Sequence, residues 1–423
     1  MLRRQFIQRA ATLLGASLVP WGCGSVDQSA LGVPGFSGWD LLARSLQGTL
    51  LFPGSKEFDR VSSPWNLRYL GKKPAAVARC LSSRDVQTCI LWAQSQGVPL
   101  VARSGGHSYA GYSLTTGLMI DVSLMNQINF ENSTGIARVG GGARNLDVYT
   151  ALRAPSVSLT HGRCKAVGVA GLVLGGGIGF NMRARGLTCD QLVETEVVTA
   201  QGQILTCNAQ QNSDLFWACR GGGGGNFGIH TSFTFQTFPV RTVTYFNLSW
   251  SSQQRAVFDA LNQVLLSAPH ELGCKVQLLQ QPGQPLKVVL LGQLVGSPAQ
   301  FQALLAPVSA IAAPTGPIQE LAYWDAQEFL SEAGDPEFSH ERSRYAFQPL
   351  SAEAVDTIFH FLERWPGTSV GANWKYFLQG ERWLRWLHKT PPLCTGPPFS
   401  SPVSSWNGQP AIRPAWFRQM PSG

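Results

Sequence analysis

Val98-Pro-Leu-Val-Ala102, running on into Arg103-Ser-Gly-Gly-His107-Ser-Tyr-Ala-Gly-Tyr-Ser113, is a short apolar run that ends in a glycine loop carrying a histidine. The run reads as a strand. Paired glycines at 105 and 106 let backbone N–H groups come close to an anion, because a side chain there would block the approach. Such a loop after a strand reads as a diphosphate cradle with His107 in its wall. Alone the signal is weak, since a histidine in this setting can equally cap a turn.

Two further segments narrow the reading. The first runs His161-Gly-Arg-Cys164, Val167-Gly-Val-Ala-Gly171 and Leu174-Gly-Gly-Gly-Ile-Gly179. The second is Phe216-Trp-Ala-Cys-Arg220, five glycines, then Asn226-Phe-Gly-Ile229. A glycine run alone fits a flexible linker. Followed by the alternating pattern of Thr231 to Phe238, it reads as packed structure.

Together the three motifs resemble the berberine-bridge-enzyme-like oxidoreductases, with a PCMH-type FAD-binding domain of the vanillyl-alcohol-oxidase superfamily. The resemblance covers about residues 60 to 380. It implies an α+β fold: a two-subdomain FAD-binding domain, then a substrate domain with an antiparallel sheet and helices. It also implies bicovalent FAD, with His107 bonded to the flavin 8α-methyl and Cys164 to C6. Arg103, Ser104, Gly105, Gly106, Ser108, Val167, Gly168, Gly171, Gly175, Gly176, Gly179, Asn226, Gly228 and Ile229 would line the cofactor. The plain alternative for Cys164 is a small buried hydrophobe. Arg163 and Lys165 flank it and are expected to lower its pKa; solvent-facing charge is the other reading of both.

At 423 residues, 44% hydrophobic and 14% charged, the chain is globular and long enough for two domains. The net charge of +8 does not mark a nucleic-acid binder. Arg3, Arg4, Arg9, Arg382, Arg385, Lys389, Arg413 and Arg418 lie in the terminal stretches. Without them, 25 of the 33 basic residues remain against 25 acidic ones. Leu2-Arg-Arg-Gln-Phe-Ile-Gln8 resembles a twin-arginine export signal, and Ala10 to Val19 is too short to span a bilayer. Residues 1–30 are therefore expected to direct export, periplasmic or extracellular. Gly22-Cys23 offers a lipid-anchor junction, with Pro20 and Trp21 poor choices before it. The nine cysteines show no CxxC pair and no zinc spacing. Cys80 and Cys89 are candidates to bridge in an oxidising compartment.

Residues 60–239 read as the FAD-binding domain. Strands are expected at Ala75–Cys80, Val98–Ala102 and Leu118–Asp121, and at Ile136 before a glycine bend. Helices are expected at Arg84–Gln94, capped by Ser82 or Ser83, and at Asn145–Leu152. Leu192–Ala200 and Gln203–Cys207 read as a hairpin about Gln201-Gly202. Residues 240–380 read as the substrate domain, with helices at Gln254–Ala268, Pro298–Ala312 and Ala352–Trp365. Strands are expected at Leu286–Gly292 and Gly371–Leu378, and Glu341–Phe347 resembles a strand of the family's substrate sheet. Residues 381–423 hold eight prolines from Pro391 onward, a density that blocks helices and central strands. Their composition fits a shifted reading frame better than a new module; a proline-rich interaction tail is the alternative.

In the family, the base is usually the tyrosine of an Asn-Tyr-x-Asp segment, which this sequence lacks. Tyr376 and Gln379 are the remaining catalytic candidates. Strand alternation puts them on opposite faces, so a regular strand offers the site one of them. Val167 stands three residues after the cysteine, where the family gates oxygen. Two readings follow: an oxidase passing hydride from a small-molecule alcohol, carbohydrate or secondary metabolite, through FAD to molecular oxygen, or a flavin-binding protein with impaired catalysis.

Overall fold

The computed structural model describes residues 38–344, 346, 348–365, 367 and 371–378. The export segment, Cys23, Gln379 and the proline-rich tail lie outside the described residues. The chain divides after Leu41, and the described part of the first unit is the opening of a helix, Gly38–Ser45. The second unit is built on three sheets.

The first sheet contains β1 (Thr49–Leu51), β2 (Ala76–Arg79), β3 (Leu100–Arg103) and β4 (Leu118–Asp121), in the order β1-β2-β4-β3. β4 pairs in parallel with β2 and β3, and β1 joins antiparallel. Parallel central strands are covered on both faces. Accordingly all four residues of β4 are buried. The crossover from β2 to β3 is the helix Ser83–Ser95. Ser82 caps it by accepting the Asp85 N–H, and Val86, Cys89, Ile90 and Ala93 form its buried stripe. Cys80 and Cys89 are both buried free thiols.

The second sheet is antiparallel: β5 (Ile128–Glu131), β6 (Ile136–Gly140), β8 (Leu192–Val198), β9 (Ile204–Asn208) and β10 (Ile229–Gln236), ordered β5-β6-β10-β8-β9. The expected hairpin is β8–β9, with Gly202 at φ 75 in its turn. Phe233 and Phe235 of β10 are fully buried in the core beneath this sheet. β7 (Val157–Ser158) and β11 (Phe238–Pro239) pair separately.

The third sheet is also antiparallel, β15-β12-β14-β13-β16. Its strands are β12 (Thr242–Trp250), β13 (Leu272–Gln280), β14 (Lys287–Leu294), β15 (Ile318–Ala322) and β16 (Ala372–Phe377). Helices Gln254–Leu266, Pro298–Ser309 and Ala352–Glu363 cover one face, each ending two or three residues before its expected limit. Phe246 stacks on Phe301 at 4.0 Å between sheet and helix, and Phe258 meets Phe359 edge-on. Burying such a ring contributes roughly 1.5–3 kcal/mol. The fold class is α+β, as the motifs imply.

One expected strand, Glu341–Phe347, is not formed over its described residues 341–344. Residues 341–344 have no strand partners, and Glu341 instead meets Lys375 of β16 through its side chain at 3.3 Å. The β12 edge is taken by β15, Ile318–Ala322.

Candidate functional site

β3 ends at Arg103, and the glycine loop follows at the carboxyl end of the parallel strands, where open sheets present ligand sites. Gly105 and Gly168 pack backbone to backbone. A Cβ on Gly105 would stand 2.9 Å from both Ala166 O and Gly168 Cα. A Cβ on Gly168 would collide with Gly105 N and Ser104 Oγ. The first two motifs therefore touch only because both positions are glycine. Ser104 Oγ donates to Gly141 O at 2.9 Å, and Ser108 Oγ accepts the Tyr112 N–H at 3.0 Å. Gly106, at φ 74, lies over the Arg103 guanidinium.

His107 and Cys164 face one common point, which lies beside Gly334. A Cβ on Gly334 would stand 3.2 Å from His107 Cε1 and would overlap Cys164 Sγ. Gly334 has φ 88 and belongs to a strap tied at both ends. Glu332 exchanges backbone hydrogen bonds with Arg163 and Lys165, at 3.0 and 2.8 Å. Glu337 bonds the backbone of Trp65 and Leu67.

Burial, with Arg144 and Arg103 adding to it, pushes the His107 pKa down to about 4, so its imidazole is neutral at pH 7. Trp65 stacks on it at 5.5 Å. Cys164 departs from expectation. Burial pushes its thiol pKa up, and Arg163 offsets this only weakly. The cations flanking it are already engaged, Arg163 by Glu332 and Lys165 by Glu328 at 2.5 Å. The thiol is therefore held protonated, not activated.

The site-facing side of the third sheet corrects another expectation. Tyr376 points into the helix layer, where its hydroxyl donates to Asn262 Oδ1 at 2.6 Å. It pairs with Val276, itself in that core. Its neighbours on the opposite side, Lys375 and Phe377, face the flavin motifs; Phe377 lies 6.3 Å from Phe180. Tyr376 is thus a packing residue. Cross-strand from Phe377 is Lys275, 6% exposed, its pKa lowered by burial to about 8 with Arg163 adding to the shift. Sequence reading missed Lys275, because a lone lysine in an apolar strand carries no motif.

The remaining candidates fall into two groups. Val167 donates its N–H to Cys164 O at 3.2 Å and accepts from Asn145 N at 3.0 Å. Gly168 opens the helix Val169–Leu174, Gly175 closes it, and Gly176 follows at φ 105. Gly171 has open space about it, and Gly179 packs against His161 O. Gly223 N donates to Leu174 O at 2.8 Å, which brings the third motif to the second. Asn226 bonds Gly222 O at 2.7 Å. Gly228, at φ 138, and Ile229 lie instead at the β8–β10 seam against Val198.

These residues fit the dimethylbenzene edge and the diphosphate of FAD. A neutral imidazole and a thiol both approach one point beside Gly334, which suits two links to one ring. Backbone glycines open the cradle. Arg103 is 7% exposed and has a buried Nη1 with no hydrogen-bond partner, a donor that an anion would satisfy.

Three histidines make the fold acid-sensitive in a defined window. Burial lowers His107, His161 and His230 each to about 4. Their folded pKa values lie below the unfolded value, so the unfolded chain binds more protons between pH 6.5 and 4. Stability falls as pH falls through that window. His161 and His230, 5% and 4% exposed, each account for on the order of 3 kcal/mol by pH 4. Scanning calorimetry from pH 7 to 4 is expected to show a steady loss of Tm. A flat profile above pH 4.5, with loss only where carboxylates such as Glu332 protonate, contradicts it.

The chain is similar to known FAD-binding proteins. Residues 74–208 match the family model of an FAD-binding domain. An uncharacterized FAD-linked oxidoreductase of Bacillus subtilis, YgaK, is 32% identical over 344 residues, 79% of this chain and 75% of the relative. The solved wild-type BBE-like 1 of Physcomitrella patens superposes with a TM-score of 0.61 at 32% identity, over 68% of this chain and 62% of that one. Glucooligosaccharide oxidase from Acremonium strictum, a protein with a 6-S-cysteinyl, 8α-N1-histidyl FAD, gives 0.64 at 28% identity, over 73% and 65%. The chain thus spans less than two thirds of each of these solved structures. With three glycine motifs meeting at one site and relatives matched across most of its length, the chain belongs to the FAD-linked oxidoreductases of the berberine-bridge-enzyme-like type.

Proposed function

We propose that the protein is an exported oxidase that takes hydride from an alcohol carbon of a carbohydrate and delivers the electrons to molecular oxygen. Its FAD is bonded to both His107 and Cys164. The observation that carries this reading is the convergence of those two side chains beside Gly334. When bound, FAD supplies the hydride acceptor and the relay to oxygen.

The chain's own contribution is positional. Neutral His107 offers a ring nitrogen lone pair, while Cys164 has to give up its proton on linking. The Gly105–Gly168 contact sets the spacing of the loops that carry them. Residues 60–239 act as the FAD-binding domain and 240–380 as the substrate-binding domain, whose sheet turns Lys275 and Phe377 toward the site. A carbohydrate substrate is favoured by likeness to glucooligosaccharide oxidase, which shares the paired histidyl and cysteinyl links proposed here. Export rests on Arg3-Arg4 and the apolar stretch Ala10 to Val19. Among the described residues, no helix is long and apolar enough to cross a membrane.

A panel of oligosaccharides assayed for hydrogen peroxide tests the activity. Peroxide released with at least one sugar is expected; reduction of a dye without peroxide points to a dehydrogenase, and neither signal overturns the reading. Val167, half-buried beside Cys164, gives a second test without substrate. Photoreduced protein mixed with aerated buffer is expected to reoxidise quickly. Val167→Leu is expected to slow this by roughly tenfold, about 1.4 kcal/mol of barrier. An unchanged rate removes Val167 from oxygen control.

A further inference from the structure

The two nucleophiles are held by different parts of the chain. His107 is fixed by residues of the first sheet's surroundings, Trp65 among them. The turn carrying Cys164 is held instead by the helix Tyr323–Leu330 and the residues just after it. Tyr323 OH lies 2.9 Å from His161 Nε2, accepts from Asn181 Nδ2 at 2.6 Å, and meets Ser158 Oγ at 3.1 Å. Trp324 stacks on the His161 ring at 5.5 Å and 17°. Leu330 O accepts from Arg163 Nη1 at 3.2 Å, Glu328 holds Lys165, and the Glu332 backbone bonds on either side of Cys164.

All the polar members around Tyr323 are buried: Ser158 0%, His161 5% and Asn181 9% exposed. With Asn181 donating, the Tyr323 proton points to His161 Nε2, which leaves Nδ1–H for Gly162 O at 3.1 Å. Buried networks of this kind fix one geometry, since a broken member leaves a desolvated group unpaired. Here the geometry fixed is that of the residue three places before Cys164.

We propose that Tyr323 is a positioning residue for Cys164: through His161 it aims the thiol at the point that His107 faces. The cysteinyl bond to the flavin then forms only when the Tyr323–Glu332 segment has docked. This rests on the bicovalent reading above. In the linking step, Cys164 S–H and a flavin ring C–H are lost and an S–C bond forms. The two protons and two electrons go to molecular oxygen, giving hydrogen peroxide.

The test introduces Tyr323→Phe into three backgrounds, unchanged, His107→Ala and Cys164→Ala, and measures protein-bound flavin by its absorbance after acid precipitation. In the His107→Ala background, where only the cysteinyl bond remains, Tyr323→Phe is expected to lower bound flavin by about fivefold or more. In the Cys164→Ala background it is expected to leave the histidyl-bound flavin unchanged. Glu332→Gln, altering a surface carboxylate, is expected to act in the same direction by about twofold, and decides the matter if Tyr323→Phe does not fold. Undiminished cysteinyl linkage overturns the proposal, and so does equal loss in both backgrounds, which marks a general folding defect. Absence of any cysteinyl bond in the unsubstituted protein is a separate result, which overturns the bicovalent reading and this proposal with it.

Discussion

Alanine at both His107 and Cys164 is expected to release all flavin on denaturation, while each single substitution leaves one bond in place. The approach of both side chains to one point beside Gly334 motivates this expectation. Neither change should disturb folding much, since both side chains are only half-buried at the mouth of the cradle. Acid precipitation followed by absorbance of pellet and supernatant reads the result. A yellow pellet from the double variant points to a third attachment residue. A colourless pellet from His107→Ala alone means that Cys164 does not link.

Gly168→Ala is expected to have the second largest effect. The added methyl collides with backbone at Gly105 and with Ser104 Oγ, so the two loops have to part. Overpacking of this sort costs about 1–3 kcal/mol, which corresponds to roughly tenfold to a hundredfold weaker FAD retention if the strain falls on the cradle. Gly71→Ala is the control, because no atom lies within 4 Å of its added methyl, its φ is not in the left-handed region, and it lies outside the glycine motifs. Flavin content per protein and Tm should fall for Gly168→Ala and hold for Gly71→Ala. Equal loading of the two variants contradicts a cradle built on the Gly105–Gly168 contact.

The sequence made the cradle legible because its requirements are local. Glycines that admit close backbone approach, a histidine after a strand, and a cysteine before a helix N-terminus are all visible within a dozen residues. The helices over 254–266, 298–309 and 352–363 were legible for the same reason, since a buried stripe repeats at helical spacing. What stayed hidden depends on partners far apart in the chain. His161 and Tyr323 are separated by 162 positions, and nothing near either announces the other. Of the strand expected at Glu341–Phe347, the described residues 341–344 pair with no strand, and Glu341 meets Lys375 of β16 through its side chain, a contact set by residues 34 positions apart. Tyr376 was misassigned to the site because alternation gives two faces without saying which is covered by helices. The pKa of Cys164 rises against expectation chiefly because the thiol is partly buried, and burial at that position cannot be read from the flanking cations.

The central claim is that one flavin joins two distant segments of this chain. Mass spectrometry of a proteolytic digest tests it directly. The predicted result is a single cross-linked species in which the peptide containing His107 and the peptide containing Cys164 are held together by one FAD-derived group. Recovery of both peptides separately and unmodified, from protein that carries FAD, would contradict the account.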